Sequence, residues 1–364
     1  MRYLRTGLLL SALLLSFSPA VALSRRAQSP TAAPEVGASW SYTNFGSGIG
    51  ASGLVLDRNG AFREIAMGGT LNIFGSNDYW YVLRYSPSAQ QYEQVFASEV
   101  MPSKIVRIGT GDLFGDGRTE IVAALESGEI RLYDQITRSV LPGLTVPSSI
   151  ASMVIHDLDG DGKAEIILTA STGLVVYSGA GTFLWGLNQV FGTDLAVGQM
   201  DDDLSLEITA TDGKVVDVET QTVQWSSPTG FGVHVLAGDI DGDGRDELIV
   251  GEGWNAVRAY DVDTKLEKWT IATPQDVGAI GLVDTDCDGE LEVLIGDGQW
   301  GSVRAYDAAS RALKWEIPNP EHGVTWIAFG DVDGDGNAEV VWGAGATYTG
   351  PDHLFFGDPI TESI

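Results

Sequence analysis

Apolar residues along this chain gather in short runs without a helical period, and polar, acidic turns separate them. One unit shows the order. The run Val235-Leu236-Ala237 leads into an acidic loop, and Glu247 to Val250 leaves it. A third segment alternates from Val257 to Asp261, and a fourth ends on Trp269. The third pattern returns at Val303 to Asp307, and tryptophans recur at comparable places as Trp185, Trp225 and Trp315. Each unit therefore predicts four short strands, and the regular tryptophans predict packed positions.

The acidic loops set the period. Their starts at 57, 112, 157, 199, 239, 284 and 331 are 55, 45, 42, 40, 45 and 47 residues apart. A period in the forties built from short strands predicts an all-β, seven-bladed β-propeller with one four-stranded blade per repeat. The last unit ends after three strands, at His353 to Gly357. The segment Ala38 to Tyr42 is predicted to supply the missing strand and close the ring, which removes an open edge.

Four loops share one ligand pattern: DLDGDGKAE, DIDGDGRDE, DTDCDGELE and DVDGDGNAE. Carboxylates stand at positions 1, 3, 5 and 9, with glycine at position 6 (Gly162, Gly244, Gly289, Gly336) to allow a positive-φ turn. Oxygen donors at that spacing suit calcium. The predicted ligands are Asp157, Asp159, Asp161 and Glu165 with the Lys163 carbonyl; Asp239, Asp241, Asp243 and Glu247 with that of Arg245. The third set is Asp284, Asp286, Asp288, Glu292 and the Glu290 carbonyl; the fourth is Asp331, Asp333, Asp335, Glu339 and the Asn337 carbonyl. Position 12 is Leu168, Val250, Ile295 or Trp342, not the glutamate of a helical EF-hand, so the loops join strands. Asp112, Asp116 and Glu120 form a candidate fifth site, although Phe114 replaces one ligand. The loop at Gln199 lacks the first carboxylate and the glycine, and the loop at Asp57 is one residue short; neither is expected to bind.

These loops and their flanks resemble FG-GAP (VCBS-type) repeats, the units of the integrin α-subunit propeller and of many secreted bacterial proteins. The strand Tyr260 to Trp269 (YDVDTKLEKW) also resembles the tryptophan-docking repeat of quinoprotein-type propellers, though it lacks the usual Thr-Gly pair. The resemblance spans roughly residues 38 to 358 and implies a calcium-stabilised propeller. It does not imply one function, because this fold carries many.

Residues 1–22 read as a signal peptide: Arg2 and Arg5 precede the apolar run Leu8 to Leu15, and Ala20-Val21-Ala22 offers a cleavage site. The run is broken by Ser16, Ser18 and Pro19, so no membrane span is expected after cleavage. Residues 23–36 read as a flexible linker and 37–364 as the propeller. The expected location is secreted or periplasmic. A net charge of −29, which becomes −31 without Arg2 and Arg5, argues against nucleic acid or anionic membrane as partners. The single cysteine, Cys287, reads as an incidental loop side chain.

No HExxH or GxSxG pattern occurs, and His156 and His234 fall in or beside inner strands where packing is expected. Function is therefore sought in the loops opposite the acidic turns. They carry Trp80, Trp254, Trp300 and Tyr348, with Phe231, Glu321 and His322 from the connections between blades. Aromatic rings beside polar groups suit recognition of a glycan or an extracellular protein. The alternative is a polysaccharide lyase or glycosidase on the same face, which requires two free carboxylates across one cleft.

Overall fold

A computed structural model describes residues 49–57, 63–70, 79–86, 88, 91–254, 256–286, 288–332, 337–344, 353–362 and 364. Its strands form seven antiparallel sheets in chain order, the seven blades of a β-propeller. Blades 1 to 6 have four strands each; blade 7 has three among the described residues, Val324–Gly330, Glu339–Ala344 and His353–Gly357. The segment Ala38 to Tyr42, the proposed signal peptide and the linker lie outside the described residues. No helix among the described residues is long and apolar enough to cross a membrane.

The second strand of each blade explains why the units assemble. Glu165–Ala170 in blade 3 is buried along its whole length. Its side chains alternate between two faces, and both faces are apolar. Ile166 and Leu168 join Val122, Ala124 and Leu132 of blade 2, whereas Ile167 joins Leu195, Ile208 and Val216 of blade 4. A blade alone would leave both faces in water, so the cores lie between blades.

The same arrangement closes the ring. Ile65, Met67 and Leu83 of blade 1 share a core with Trp326, Val341 and Phe356 of blade 7. Tyr92 stacks on Phe356 with ring centroids 3.9 Å apart. Side-chain packing between the first and last blades thus seals the propeller.

The recurring tryptophans pack as expected. Trp269 and Trp315 are buried, and Trp185 and Trp225 lie half-buried against the neighbouring cores. Trp80 corrects the expectation of a binding ring: it is 0% exposed, wedged between Phe96 and Tyr133 at 4.7 and 4.9 Å. It is the first residue of Trp80–Ser86, whose pleat turns it into the core between blades 1 and 2. Phe231 is likewise buried, against Trp225 and Tyr260. The histidines depart the other way: His156 is exposed and His234 half-buried.

Candidate functional site

Antiparallel pairing separates two faces. In blade 5, His234 at the start of the inner strand (His234–Gly238) pairs with Gly251 near the end of the second (Glu247–Glu252). The acidic loop joining these strands lies at one end. The turn from second to third strand lies at the other, beside the start of the inner strand.

On the acidic face, the position-1 aspartate organises its loop. Asp157 Oδ1 accepts from the Gly160 amide at 2.8 Å, and Oδ2 accepts from the Gly162 amide at 2.8 Å. Asp239 does the same with Gly242 and Gly244 at 2.7 and 2.9 Å. Gly162 and Gly244, at φ +84° and +89°, adopt the left-handed conformation that turns these amides inward. The position-9 glutamate locks the loop from the other side. In six blades its Oε2 accepts from the amide at position 2: Leu113, Leu158, Met200, Ile240, Thr285 and Val332. These two residues therefore hold the loop through its own backbone amides.

Carboxylate oxygens converge within 4.8 Å in four groups: Asp157, Asp159 and Glu165; Asp201, Asp203 and Glu207; Asp239, Asp241 and Asp243; and Asp284, Asp286 and Glu292. An all-oxygen donor set of this kind fits a hard divalent cation. Asp161 is drawn aside by the Lys163 ammonium at 3.0 Å. Among the described residues, Asp112, Asp116 and Glu120 do not converge in this way. In the last loop Asp331, Asn337 and Glu339 are described, whereas Asp333 and Asp335 lie outside the described residues, as do Cys287 and Tyr348.

The glutamates differ in what faces their second oxygen. Lys268 Nζ lies 2.6 Å from Glu247 Oε1 and 2.5 Å from Asp241. Lys314 Nζ lies 2.8 Å from Glu292 Oε1, with Asp286 and Asp288 at 2.9 and 3.0 Å. In blade 1, Arg84 Nε donates to Glu64 Oε1 at 3.0 Å and Arg138 pairs with Oε2. Sequence spacing did not reveal these cations, because they arrive from other strands. The available signal was the repeated Lys-Trp at 268–269 and 314–315. Both lysines fall at a bulge in strand pairing, which turns them toward the loop. Among the described residues, no such cation reaches Glu120, Glu165 or Glu207 in blades 2, 3 and 4. Burial, together with Asp201, Asp203 and Asp217, pushes the Glu207 carboxyl up to about 8 despite its hydrogen bond from the Met200 amide.

The opposite face presents Trp254 and Trp300, 67% and 60% exposed. They occupy the second-to-third-strand turns of adjacent blades 5 and 6. Trp300 meets His322 edge-on, with centroids 5.7 Å apart at 86°. The Trp300 turn is firmly held. Asp297, buried beneath it, accepts from the Ser302 amide at 2.8 Å and from Arg304 Nη1 at 2.9 and 2.8 Å. A Cβ on Gly301 would come within 1.8 Å of Asp297 Oδ2, so the turn requires glycine there. The connection carrying His322 is fastened to the same turn by Asn319 N to Gly301 O at 2.9 Å and Gly323 N to Gln299 O at 3.0 Å.

At the same end, the central channel opens into a cavity of about 260 Å³ that includes Arg107, Asp194 and His234. Arg107 Nη2 donates to Asp194 Oδ1 at 2.5 Å, and His234 Nδ1 lies 3.5 Å from Oδ2. Burial raises the Asp194 pKa, but the Arg107 guanidinium and His234 outweigh it and hold the carboxyl below the usual range. Asp297 beside the rim and Asp194 at the channel are both paired with arginines.

Residues 231–263 match the FG-GAP repeat family. That stretch contains the whole Asp239 loop and Trp254. A search of curated protein sequences returns no match. The fold is similar to a crystal structure of BBS1N in complex with ARL6DN, soaked with lead, at 13% identity and TM-score 0.63, covering 84% of this chain and 91% of that one. A second crystal of the same complex, soaked with mercury, aligns at 14% identity and TM-score 0.63 over 85% and 92% of the two chains.

Proposed function

We propose that this protein is a recognition module that holds a ligand at the face carrying Trp254, Trp300 and His322. The observation that carries this reading is the pair of exposed tryptophans on adjacent blades, in a protein that buries its other described tryptophans wholly or in part. A large ring in water is unfavourable unless a partner covers it, and tryptophan is enriched among residues that dominate binding energy. The hydrogen-bonded Trp300 turn limits the ordering cost of binding. A protein loop is the favoured ligand over a glycan. The similar BBS1N propeller is described in complex with another protein, which supports that class.

The reading includes calcium as a structural ion of the acidic face and export through residues 1–22. The Asp157 loop, whose Glu165 meets no lysine among the described residues, is its principal calcium site. In blades 5 and 6 an ion would have to displace Lys268 or Lys314.

The test is affinity capture from the native source on immobilised protein, alongside a glycan array, with the Trp254→Ala, Trp300→Ala double variant as comparison. Loss of one defined ligand from a variant that still melts normally supports the reading. Equal retention by both proteins overturns it.

A further inference from the structure

The cavity at the mouth of the central channel has two kinds of lining. Its polar residues are Arg107 of blade 2, Asp194 just before the first strand of blade 4, and His234 of blade 5. Its apolar residues include Leu236, Ile280, Trp326 and Ile327, from blades 5 to 7. Within the polar group both acceptor oxygens are engaged, whereas the donor has capacity left. Asp194 Oδ1 accepts from Arg107 Nη2 at 2.5 Å and from the Leu195 amide at 3.1 Å. Oδ2 faces His234 Nδ1 at 3.5 Å. Arg107 Nη2 also donates at 3.2 Å to Ser152 Oγ, a buried hydroxyl of blade 3. The remaining donors of the guanidinium, on Nη1 and Nε, meet no acceptor among the described residues. The side chain keeps 31% of its surface exposed.

Ser152 and Asp194 thus fix the guanidinium from blades 3 and 4, and Asp194 grips it through one nitrogen only. A ligand entering the cavity must offer an acceptor. A purely apolar molecule would strip water from Nη1 and Nε and return nothing. A cation would meet Asp194 with both oxygens engaged and Arg107 repelling it. A carboxylate would gain a charge-assisted hydrogen bond, roughly twice as strong as a neutral one. Inorganic phosphate or sulfate would set a strongly hydrated ion against Ile280 and Trp326, so the apolar lining favours an organic acid. The net charge of −29 does not forbid this, because repulsion from surface carboxylates is screened beyond about 8 Å at physiological ionic strength. A volume of about 260 Å³ stands close to the lower end of small-molecule sites.

We infer that the channel mouth binds a small organic monocarboxylate, with its acid group on Arg107 and its apolar body against Ile280, Trp326 and Ile327. Asp194 and Ser152 are positioning residues for the guanidinium. The site shares no residue with the face of Trp254, Trp300 and His322. It stands whether or not that face binds a ligand, and whether or not the acidic loops hold calcium.

The test titrates the full chain with three probes that share one ring: benzoate, benzamide and benzamidine. Isothermal calorimetry reads affinity, and methyl NMR of labelled isoleucines reads location. Benzoate is expected to saturate one site and to bind at least about tenfold more tightly than benzamide, as a charged acceptor does on a guanidinium. Benzamidine is expected not to bind. The Ile280 and Ile327 methyl signals should shift with benzoate along the same isotherm. Arg107→Met keeps the length of the side chain, removes its donors and should lose benzoate binding. Should that variant fail to fold, the probe order and the methyl shifts in the parent decide. Absence of saturable benzoate binding, equal affinity for the three probes, unmoved Ile280 and Ile327 signals, or undiminished binding by folded Arg107→Met overturns the inference.

Discussion

Lys314 extends from the fourth strand of blade 6 to set its ammonium 2.8 Å from the buried Glu292, in the midst of Asp286 and Asp288. A side chain 22 residues away thus supplies positive charge where the loop spacing alone suggests a metal. The acidic face thereby divides into loops with a tethered cation and loops without one.

Replacing that cation has a direction that depends on calcium. Lys314→Met leaves Glu292 buried with its acidic neighbours. The variant is expected to lose about 1–3 kcal/mol in chelator, as when a buried charged group loses its partner. With calcium the loss should shrink, because the ion can take the vacated place. Denaturant midpoints with and without calcium measure both; an equal loss under the two conditions contradicts it.

Calcium removal should lower the melting temperature of the parent protein. An ion held at a free concentration ten times its Kd adds about 1.4 kcal/mol of stability. Thermal unfolding before and after verified chelation is the measurement. An unchanged melt would remove calcium from the account of stability.

The tryptophans should separate by role. Trp80→Ala is expected to destabilise by about 3–5 kcal/mol, since it empties the core between blades 1 and 2. Trp254→Ala and Trp300→Ala should stay within about 0.5 kcal/mol of the parent, as exposed positions do. Their loss appears in ligand affinity, at about 2 kcal/mol or more for a ring at the centre of an interface. Urea titration and binding isotherms on the same variants decide this.

Acidification tests the channel cluster. Asp194 is held below its ordinary pKa of 3.8, so its contribution is fully present above about pH 4 and is lost as pH falls through the depressed folded value. Asp194→Asn should therefore be less stable near neutrality and show a flatter acid limb. A variant as steeply acid-sensitive as the parent would assign that limb to other carboxylates.

Much of this was written in local sequence. The interval between acidic loops determined the number of blades, because each repeat must supply one sheet. The apolar runs after each position-9 glutamate determined the second strands, whose two buried faces make neighbouring blades necessary. The positive-φ glycines and the capturing aspartates determined the loop shape, since those interactions span only five residues. Only the tertiary structure decided which carboxylates meet a protein cation. Strand pairing and its bulges brought Lys268 to Glu247 but put Gln224 at the corresponding bulge of blade 4. It also separated Trp80 from Trp254 and Trp300, which look alike in a string. A one-residue step along a pleat turns a ring from solvent into a core, and burial between blades is a property of the closed ring rather than of any single repeat.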